Sequence, residues 1–372
     1  MAIIRKRQGD SRVRFQLPLA VMTIAVGFLP GRAKAINFLL TDVTPGGMSP
    51  AALAGFQQAV DIWKSKIAND ITINLNIRFD GSQINGDPFA PTTLGSTGSA
   101  TVGVSYENVR SALSFGASSA DDAVAVAGLP VGSSLSFLTN SHIDSSVFLD
   151  NNASGNNNVL DVTRANAKAL GFSLVAPESN DAGIAFNSAF SWDFDQTDGV
   201  GAGLQDFVGV TVHEIGHALG FVSGVDVVDF FHGNGNGVPM NLDNFRVFSV
   251  FDLFRYSATG QLNYATGGTP YFSIDGGLTA IADFSTGSFN GDGRQASHWK
   301  DENPSLGILD PTANPAGNAN TLNELDLRAF DVIGYQLITV VPEPGSLLLG
   351  SLGIAILAFR RRRAPVGNHT GK

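Results

Sequence analysis

The apolar positions near the start of the chain repeat with two different periods. Between residues 51 and 67 they recur every three or four positions, which is typical of one face of an amphipathic helix. They are Leu53, Phe56, Val60, Trp63 and Ile67. Between residues 71 and 79 every odd position is apolar, the alternation of a half-buried strand. The pattern predicts a helix that begins near Ser49 and Pro50 and is followed directly by a strand.

Similar patterns predict further elements along the chain. Residues 134–138 and 184–194 have the composition of strands. Residues 159–170 and 322–333 are predicted helices that end at Gly171 and Gly334. Beyond residue 221 the chain is richer in Gly, Asn and Asp, which predicts loops and short strands. We therefore expect an α+β fold in which a mixed sheet packs on helices, with a loop-rich C-terminal subdomain after residue 221.

Composition narrows the possible chemistry. The chain has 372 residues, of which 43% are hydrophobic, so it can bury a large core. It has no cysteine, which excludes disulfides, thiolate metal sites and cysteine nucleophiles. The two ends carry 12 of the 23 bases and one of the 33 acids, so residues 36–344 hold 11 bases against 32 acids, a formal charge of −21. Such an acidic body repels phosphate backbones, and no nucleic-acid partner is expected.

Both ends have the pattern of export signals. Residues 1–35 combine a basic start, an apolar run over residues 15–29 and the triplet Ala33-Lys34-Ala35, which is the layout of a secretory signal peptide cleaved after Ala35. Near the other end, Pro342-Glu343-Pro344 precedes an apolar stretch over residues 346–359 and the four arginines 360–363. Charge and hydropathy there indicate a membrane segment with a cytoplasmic stop.

The order of these C-terminal parts resembles the PEP-CTERM sorting signal of Gram-negative bacteria. We assign that signal to residues 342–363, with residues 364–372 as a short tail. The resemblance implies recognition by an exosortase-type processing enzyme and removal of the tail near Pro342-Glu343-Pro344. It also implies delivery to the outer surface or the extracellular matrix.

One compact segment carries the pattern of a catalytic site. His213 and His217 are four residues apart, so on a helix their imidazoles leave the same face and can bind one Zn²⁺ ion. Glu214 then lies beside the open coordination position, where it can take a proton from metal-bound water and pass it to a leaving amine. The apolar residues 207–212 before the motif and Gly220 after it predict a buried helix that ends one turn later.

Residues 213–221 resemble the active-site helix of the zincin metallopeptidases, specifically the metzincin branch through Gly220. In the commonest metzincin pattern a third histidine lies six residues after His217, where this chain has Ser223. A catalytic zinc site requires three protein ligands, so another residue must complete it. The alternatives close in sequence are Asp226, Asp229 and His232.

A more distant candidate for the third ligand is His298. The segment Ser297-His298-Trp299 resembles the leishmanolysin group, in which a long insertion follows the helix and the third histidine lies in a Ser-His-Trp segment. That group then has a turn with a methionine under the metal. Here Leu309 has the position of that methionine, and a leucine keeps the surface under the metal apolar. Pro311 has the position of the proline that follows the methionine in that group. The resemblance favours His298, and it leaves Asp226 and Asp229 open.

Three further features have expected places around this site. In zincins the strand before the active helix forms the sheet edge along which an extended substrate binds, and residues 184–194 have that place in the chain. The acidic turn with Asp193, Asp195 and Asp198 could hold calcium, but it lacks EF-hand spacing, so a solvated turn is favoured. Tyr335 could contact an oxyanion, although a buried aromatic after a helix is the favoured role.

The resulting hypothesis is that residues 36–341 form the zincin-like catalytic domain of an exported zinc-dependent endopeptidase. Glu214 would assist the attack of zinc-bound water on the peptide bonds of a protein or peptide substrate. The main alternative is a non-catalytic surface or extracellular-matrix protein, active in biofilms, on a degenerate zincin scaffold. A third is a metal-dependent amidase that acts on cell-wall material. The presence of His213, Glu214 and His217 together favours an enzyme, because a binding module has no use for the glutamate.

Overall fold

The computed structural model describes residues 35–233 and 235–338. The predicted sorting signal at residues 342–363, and all but the last residue of the predicted signal peptide at residues 1–35, lie outside these ranges. None of the helices within them combines the length and the hydrophobicity needed to cross a membrane.

The described elements follow one another in mixed order. The helices are α1 Pro50–Lys64, α2 Tyr106–Gly116, α3 Ala120–Gly128, α4 Gly155–Asn158, α5 Arg164–Ala169, α6 Phe207–Leu219, α7 Val225–Phe231 and α8 Glu324–Val332. The strands are β1 Asn37–Asp42, β2 Thr72–Phe79, β3 Gly95–Ser99, β4 Thr101–Ser105, β5 Phe137–Asn140, β6 Val147–Asp150, β7 Val159–Thr163, β8 Ala182–Phe186, β9 Trp192–Asp193, β10 Gln205–Asp206, β11 Arg255–Ala258, β12 Gln261–Asn263, β13 Tyr271–Phe272 and β14 Ala282–Asp283. A single 3₁₀ turn, Phe251–Phe254, precedes β11.

Two larger sheets organise these strands. The first has the order β1-β2-β8-β3, with β1, β2 and β8 parallel and β3 antiparallel to β8. The second has the order β14-β13-β11-β12-β5-β6 and is antiparallel except where β12 runs parallel to β5. Strands β5 and β6 precede residue 221 and the other four follow it, so this sheet joins the two halves of the chain. The described part of the chain thus combines mixed sheets with helices.

Helix α1 and strand β2 form where the hydrophobic pattern predicts them. The Ser49 hydroxyl accepts a hydrogen bond from the backbone N–H of Ala52 (3.2 Å), and Pro50 occupies the first turn, where a backbone N–H is not needed. The buried apolar residues of the two elements are Ala52, Phe56, Ala59, Val60, Trp63, Ile73, Leu75 and Ile77. Of the helix residues that the three- and four-residue spacing selected, Phe56, Val60 and Trp63 are buried as expected, whereas Leu53 is 45% exposed.

Helix α1 is fixed directly to helix α6. The Phe56 ring meets the rings of Phe186 in β8 and Phe207 in α6 edge to face, with centroids 5.4 and 5.2 Å apart. The indole N–H of Trp63 donates to the carbonyl oxygen of Val212 in α6 (3.0 Å). These contacts fix the position of α6 relative to α1 and the sheet. Helix α6 carries the candidate catalytic residues, so this position also places the site.

The close approach of α1 and α6 depends on a glycine. A methyl group on Gly55 would lie 2.6 Å from Cδ1 of Phe207 and 3.1 Å from the carbonyl oxygen of Phe194. We expect Gly55→Ala to lower the free energy of unfolding by about 1–3 kcal/mol, because overpacking pushes the two helices apart. Urea denaturation measures this. In the control Gly116→Ala the added methyl has no atom within 4 Å, and stability should hold or rise slightly. Equal stability of Gly55→Ala and wild type would contradict the tight contact.

Two predicted elements are wrong in part. Within residues 159–170 only Arg164–Ala169 are helical, while Val159–Thr163 form β7 and pair antiparallel with β4. Leu160 and Val162 are buried there and Val159 is only partly buried, so a short alternation of period two precedes the helix. The strand predicted at residues 134–138 is shifted and runs over Phe137–Asn140.

The strand predicted at residues 184–194 is also wrong in its length and its place. It ends at Phe186, and β9 is separated from it by a turn in which the Asn187 side chain accepts a hydrogen bond from the N–H of Ala189 (3.1 Å). All five residues of β8 are buried, and β8 lies between β2 and β3. The edge of this sheet near α6 is instead β3, whose sequence Gly-Ser-Thr-Gly-Ser has no apolar residue to reveal it.

Candidate metal centre and cleft

Helix α6 has well-defined ends. The Asp206 carboxylate accepts a hydrogen bond from the backbone N–H of Gly209 (2.9 Å) and so caps the first turn. Gly220 ends the helix with φ +121°, a conformation that side chains disfavour. The predicted helix through His213 and His217 is therefore confirmed, and the two imidazoles leave the same face.

The structure brings a third histidine to this face. The Nε2 atoms of His213 and His217 lie 3.0 Å apart, and the Nε2 atom of His298 lies 3.3 Å from the first and 3.2 Å from the second. A tetrahedral zinc ion with Zn–N bonds of about 2.0–2.1 Å separates its nitrogen ligands by about 3.3 Å. The triangle of nitrogens therefore has the size that one such ion requires.

The other ring nitrogens show which atoms are available to a ligand. The Nδ1 atoms of His213, His217 and His298 lie 2.6, 2.7 and 3.3 Å from the carbonyl oxygens of Ile308, Phe221 and Gln295, respectively. Because a carbonyl can only accept, each Nδ1 carries the proton and each Nε2 presents a lone pair. Three lone pairs then face one another with no donor between them, and a cation satisfies all three. The residues present thus fit a metal ion.

Burial keeps the three imidazoles neutral. It lowers the pKa of His213 to about 4 and the pKa of His217 to about 3, and it lowers the pKa of His298 as well. Neutral imidazole is the form that binds metals. Within the described ranges these histidines are the only group of three or more His, Asp or Glu residues close enough to share one ion.

The nearby alternatives for the third ligand have other partners. Asp226 accepts hydrogen bonds from the backbone N–H groups of Ala296 (2.6 Å) and Ser297 (3.2 Å). Asp229 accepts them from the N–H groups of Phe289 and Asn290, each at 2.8 Å. The Nδ1 atom of His232 lies 2.7 Å from the carbonyl oxygen of Val228. None of the three belongs to the histidine cluster.

Leu309 packs against helix α6 between the positions of His213 and His217. Its side chain is fully buried, and its methyl carbons lie 3.1 and 3.2 Å from the position that a Cβ on Gly216 would take. Gly216 directly precedes His217, so the loop that carries Leu309 packs against the helix between the two histidines. Ile308, the preceding residue, supplies the carbonyl that orients His213. The methionine-like role that the resemblance implies for Leu309 stays a prediction.

Glu214 faces the same cleft from a buried position. The hydroxyl of Thr97 in β3 lies 2.7 Å from its Oε2 and 2.9 Å from its backbone carbonyl oxygen. Burial raises the pKa of Glu214 to about 7, and the Thr97 hydrogen bond partly opposes the shift. A carboxyl group with this pKa can both accept and return a proton near neutral pH.

The cleft beside the histidines has a volume of about 1240 Å³. Residues 89–97, which include most of β3, form one wall, and residues 293–298 and 305–315 contribute to the other. Within the described residues β3 has a neighbour on one side only, so its other edge is available to an extended chain. The strand comes close to the carboxylate, since a methyl on Gly95 would lie 3.1 Å from Oε1 of Glu214.

Two other predicted positions have structural roles. The Asp193 carboxylate accepts hydrogen bonds from the N–H groups of Asp195 (3.1 Å) and Gly201 (2.8 Å), and Asp195 accepts from Thr197 (3.0 Å), as in a solvated acidic turn. Tyr335 is buried and its hydroxyl donates to the carbonyl oxygen of Leu219 (2.7 Å). Tyr335 therefore supports the end of α6 from within the core.

The sequence patterns did not reveal the roles of Thr97 and Asp326. Thr97 lies in the strand without apolar residues. Asp326 accepts hydrogen bonds from the N–H of Ile308 (2.8 Å) and the indole N–H of Trp299 (2.9 Å), and so holds the loop that carries His298 and Leu309. The one available signal for Asp326 was its place three residues after Asn323, the spacing of a capping box at the start of α8.

The Thr97 hydrogen bond gives the sequence-based peptidase hypothesis a measurable consequence. Under that hypothesis, we expect Thr97→Val to lower kcat/KM for peptide hydrolysis by about 10–150-fold, because a hydrogen bond to a charged group contributes about 1.5–3 kcal/mol and the carboxylate would lose its orientation. Thr97→Ser keeps the hydroxyl and should retain most of the activity. An equal loss in both variants would show that the hydroxyl does not orient Glu214.

Comparison with known proteins adds one firm result. Residues 340–363 match the PEP-CTERM protein-sorting motif, which confirms the sorting signal predicted at residues 342–363. No curated protein and no solved structure shows significant similarity to the chain. The resemblance to zincins therefore rests on the residues and geometry of the site alone. The motif marks the protein for export to the cell surface or the extracellular space of a Gram-negative bacterium and implies recognition by an exosortase-type processing enzyme.

Proposed function

We propose that the protein is an exported zinc metalloendopeptidase with a zincin-like catalytic domain. The observation that carries the proposal is the convergence of three Nε2 lone pairs, from His213, His217 and His298, in a cleft that also contains Glu214. A protein that only binds a partner needs neither three oriented imidazoles nor a carboxyl group adjacent to them.

Each residue has a definite task in this proposal. Zn²⁺, when bound by the three histidines, would supply a Lewis acid that polarises the scissile carbonyl and makes a water molecule more acidic. The Glu214 carboxylate would take the proton from the attacking water and donate it to the leaving amine. The Thr97 hydroxyl orients that carboxylate, and the backbone carbonyls of Ile308 and Phe221 orient the imidazoles of His213 and His217.

The cleft supports a polypeptide as the substrate. An extended peptide could pair with the free edge of β3 through main-chain hydrogen bonds, and this would place its backbone beside Glu214. Main-chain pairing is largely independent of side chains, so it suits an enzyme that cleaves proteins. We further propose that exosortase-type processing near residues 342–344 leaves the catalytic domain on the outer surface or in the extracellular matrix.

Casein and peptide hydrolysis test the proposal. We expect the purified protein to cleave casein, to lose activity with 1,10-phenanthroline and to recover it when Zn²⁺ is restored. Release of peptidoglycan fragments without casein cleavage would point instead to the cell-wall amidase. A protein that binds zinc but cleaves neither material would support the non-catalytic surface protein.

A further inference from the structure

The segment that carries His298 is tied to the chain just after helix α6. The carboxylate of Asp226, in the first turn of α7, accepts hydrogen bonds from the N–H of Ala296 (2.6 Å) and the N–H of Ser297 (3.2 Å), and also from the Ser297 hydroxyl. Three donors from the two residues directly before His298 therefore converge on one side chain. The direction in which the His298 imidazole leaves the chain depends on these two residues.

Ser297 adds a second tie to the same segment. Its hydroxyl oxygen accepts a hydrogen bond from the backbone N–H of Ser223 (2.9 Å) while the hydroxyl donates to Asp226. Ser223 is the residue that stands where the commonest metzincin pattern has its third histidine. In this chain its N–H contacts the residue before His298 instead. The segment that follows α6 and the segment that carries His298 are therefore linked through one hydroxyl group.

The turn directly before Asp226 is fixed by hydrogen bonds of its own. The buried carboxylate of Asp252 accepts hydrogen bonds from the Ser223 hydroxyl (2.5 Å) and the N–H of Gly224 (2.8 Å), which fixes the turn between α6 and α7. The buried positive charge of Arg255, 1% exposed, partly offsets the cost of burying the carboxylates of Asp226 and Asp252. Asp226 is thereby held at a fixed distance from the helix that carries His213 and His217.

We propose that Asp226 is a positioning residue that acts through Ser297 to hold His298 opposite His213 and His217, and that it is not itself a metal ligand. The inference rests on the proposed metal centre. Metal affinity depends on ligands that are already oriented, and loss of an outer partner typically weakens it about 10–100-fold.

The chain offers a matched control on the same helix. Asp229, in α7 like Asp226, also accepts two backbone N–H groups and a side-chain donor, from Phe289 and Asn290. The segment that it holds carries no histidine of the cluster. Asp226→Asn and Asp229→Asn thus remove the same kind of carboxylate clamp, but only the first bears on His298.

The test measures zinc affinity by competition with a chromophoric chelator, and the visible spectrum of the Co²⁺-loaded protein, on the full-length chain. For Asp226→Asn we expect zinc affinity to fall about 10–100-fold and the Co²⁺ bands to shift. The zinc affinity of Asp229→Asn should stay within about twofold of that of the wild type. In the metal-free state, Asp226→Asn and Asp229→Asn should lose a similar amount of thermal stability. Ser297→Ala should change the zinc affinity and the Co²⁺ spectrum in the same direction by a smaller amount. If Asp226→Asn fails to fold, Ser297→Ala tests the positioning role in its place.

Three results are distinguishable. Equal zinc affinity in Asp226→Asn, Asp229→Asn and wild type would overturn the positioning role and leave the metal centre intact. Zinc lost in Asp226→Asn but retained in His298→Ala would make Asp226 a ligand and also overturn the inference. Absence of stoichiometric zinc in the wild-type protein would instead refute the proposed function on which the inference rests.

Discussion

Glu214→Gln is expected to lower the rate of peptide hydrolysis by about 10²–10⁴-fold, the usual contribution of a general acid–base group. The amide has nearly the same shape and can still bond to the Thr97 hydroxyl, so the fold should be preserved. It cannot accept a proton from water at neutral pH or return one to a leaving amine. Initial rates on a quenched fluorescent peptide measure the loss of activity. The zinc content and the melting temperature show whether the metal centre and the fold are preserved.

The control for this substitution is Glu178→Gln, which makes the same chemical change at an exposed position. It should leave rate, zinc content and stability unchanged. If Glu214→Gln retains more than a tenth of the wild-type rate while Glu178→Gln behaves as expected, Glu214 is not the proton carrier and the mechanism is wrong.

His298→Ala is expected to have the second large effect. Removing one of three converging lone pairs leaves two nitrogen ligands, fewer than the three that a catalytic zinc site uses. We expect zinc affinity to fall by about 100-fold or more, beyond the range typical of outer partners, and casein hydrolysis to become undetectable. Equilibrium dialysis followed by elemental analysis measures the bound zinc.

His142→Ala is the control for a lost histidine, because His142 is partly exposed and is not part of the cluster. It should retain one zinc per chain and full activity. Stoichiometric zinc in His298→Ala would show that the site is completed by a different residue. Such a result would reopen Asp226 and Asp229 as ligands.

The elements that could be predicted from sequence are those whose residues bury one face. Helix α1 and strand β2 have apolar positions with a clear period, and helix α6 has an apolar start and a terminal glycine. Strand β3 could not be found in this way, because Gly95–Ser99 contains only small and polar residues and its place is set by pairing with β8. A sequence that does not reveal β3 therefore predicts residues 184–194 at the edge that β3 occupies.

The site divides in the same manner. His213, Glu214 and His217 follow from local spacing on one helix. His298 lies 85 residues after His213, so only the resemblance of its segment to a known group pointed to it. The role of Asp226 could not be deduced, since a carboxylate near a metal site can bind the ion or hold a loop. The hydrogen bonds to Ala296 and Ser297 become visible only when the chain is folded.

The central claim is that three histidines bind one zinc ion, and X-ray absorption at the zinc edge on the purified protein tests it most directly. The account predicts one zinc per chain with three nitrogen ligands at about 2.0–2.1 Å and at least one further light-atom ligand. Protein that contains no stoichiometric metal and takes none up from buffer would contradict it.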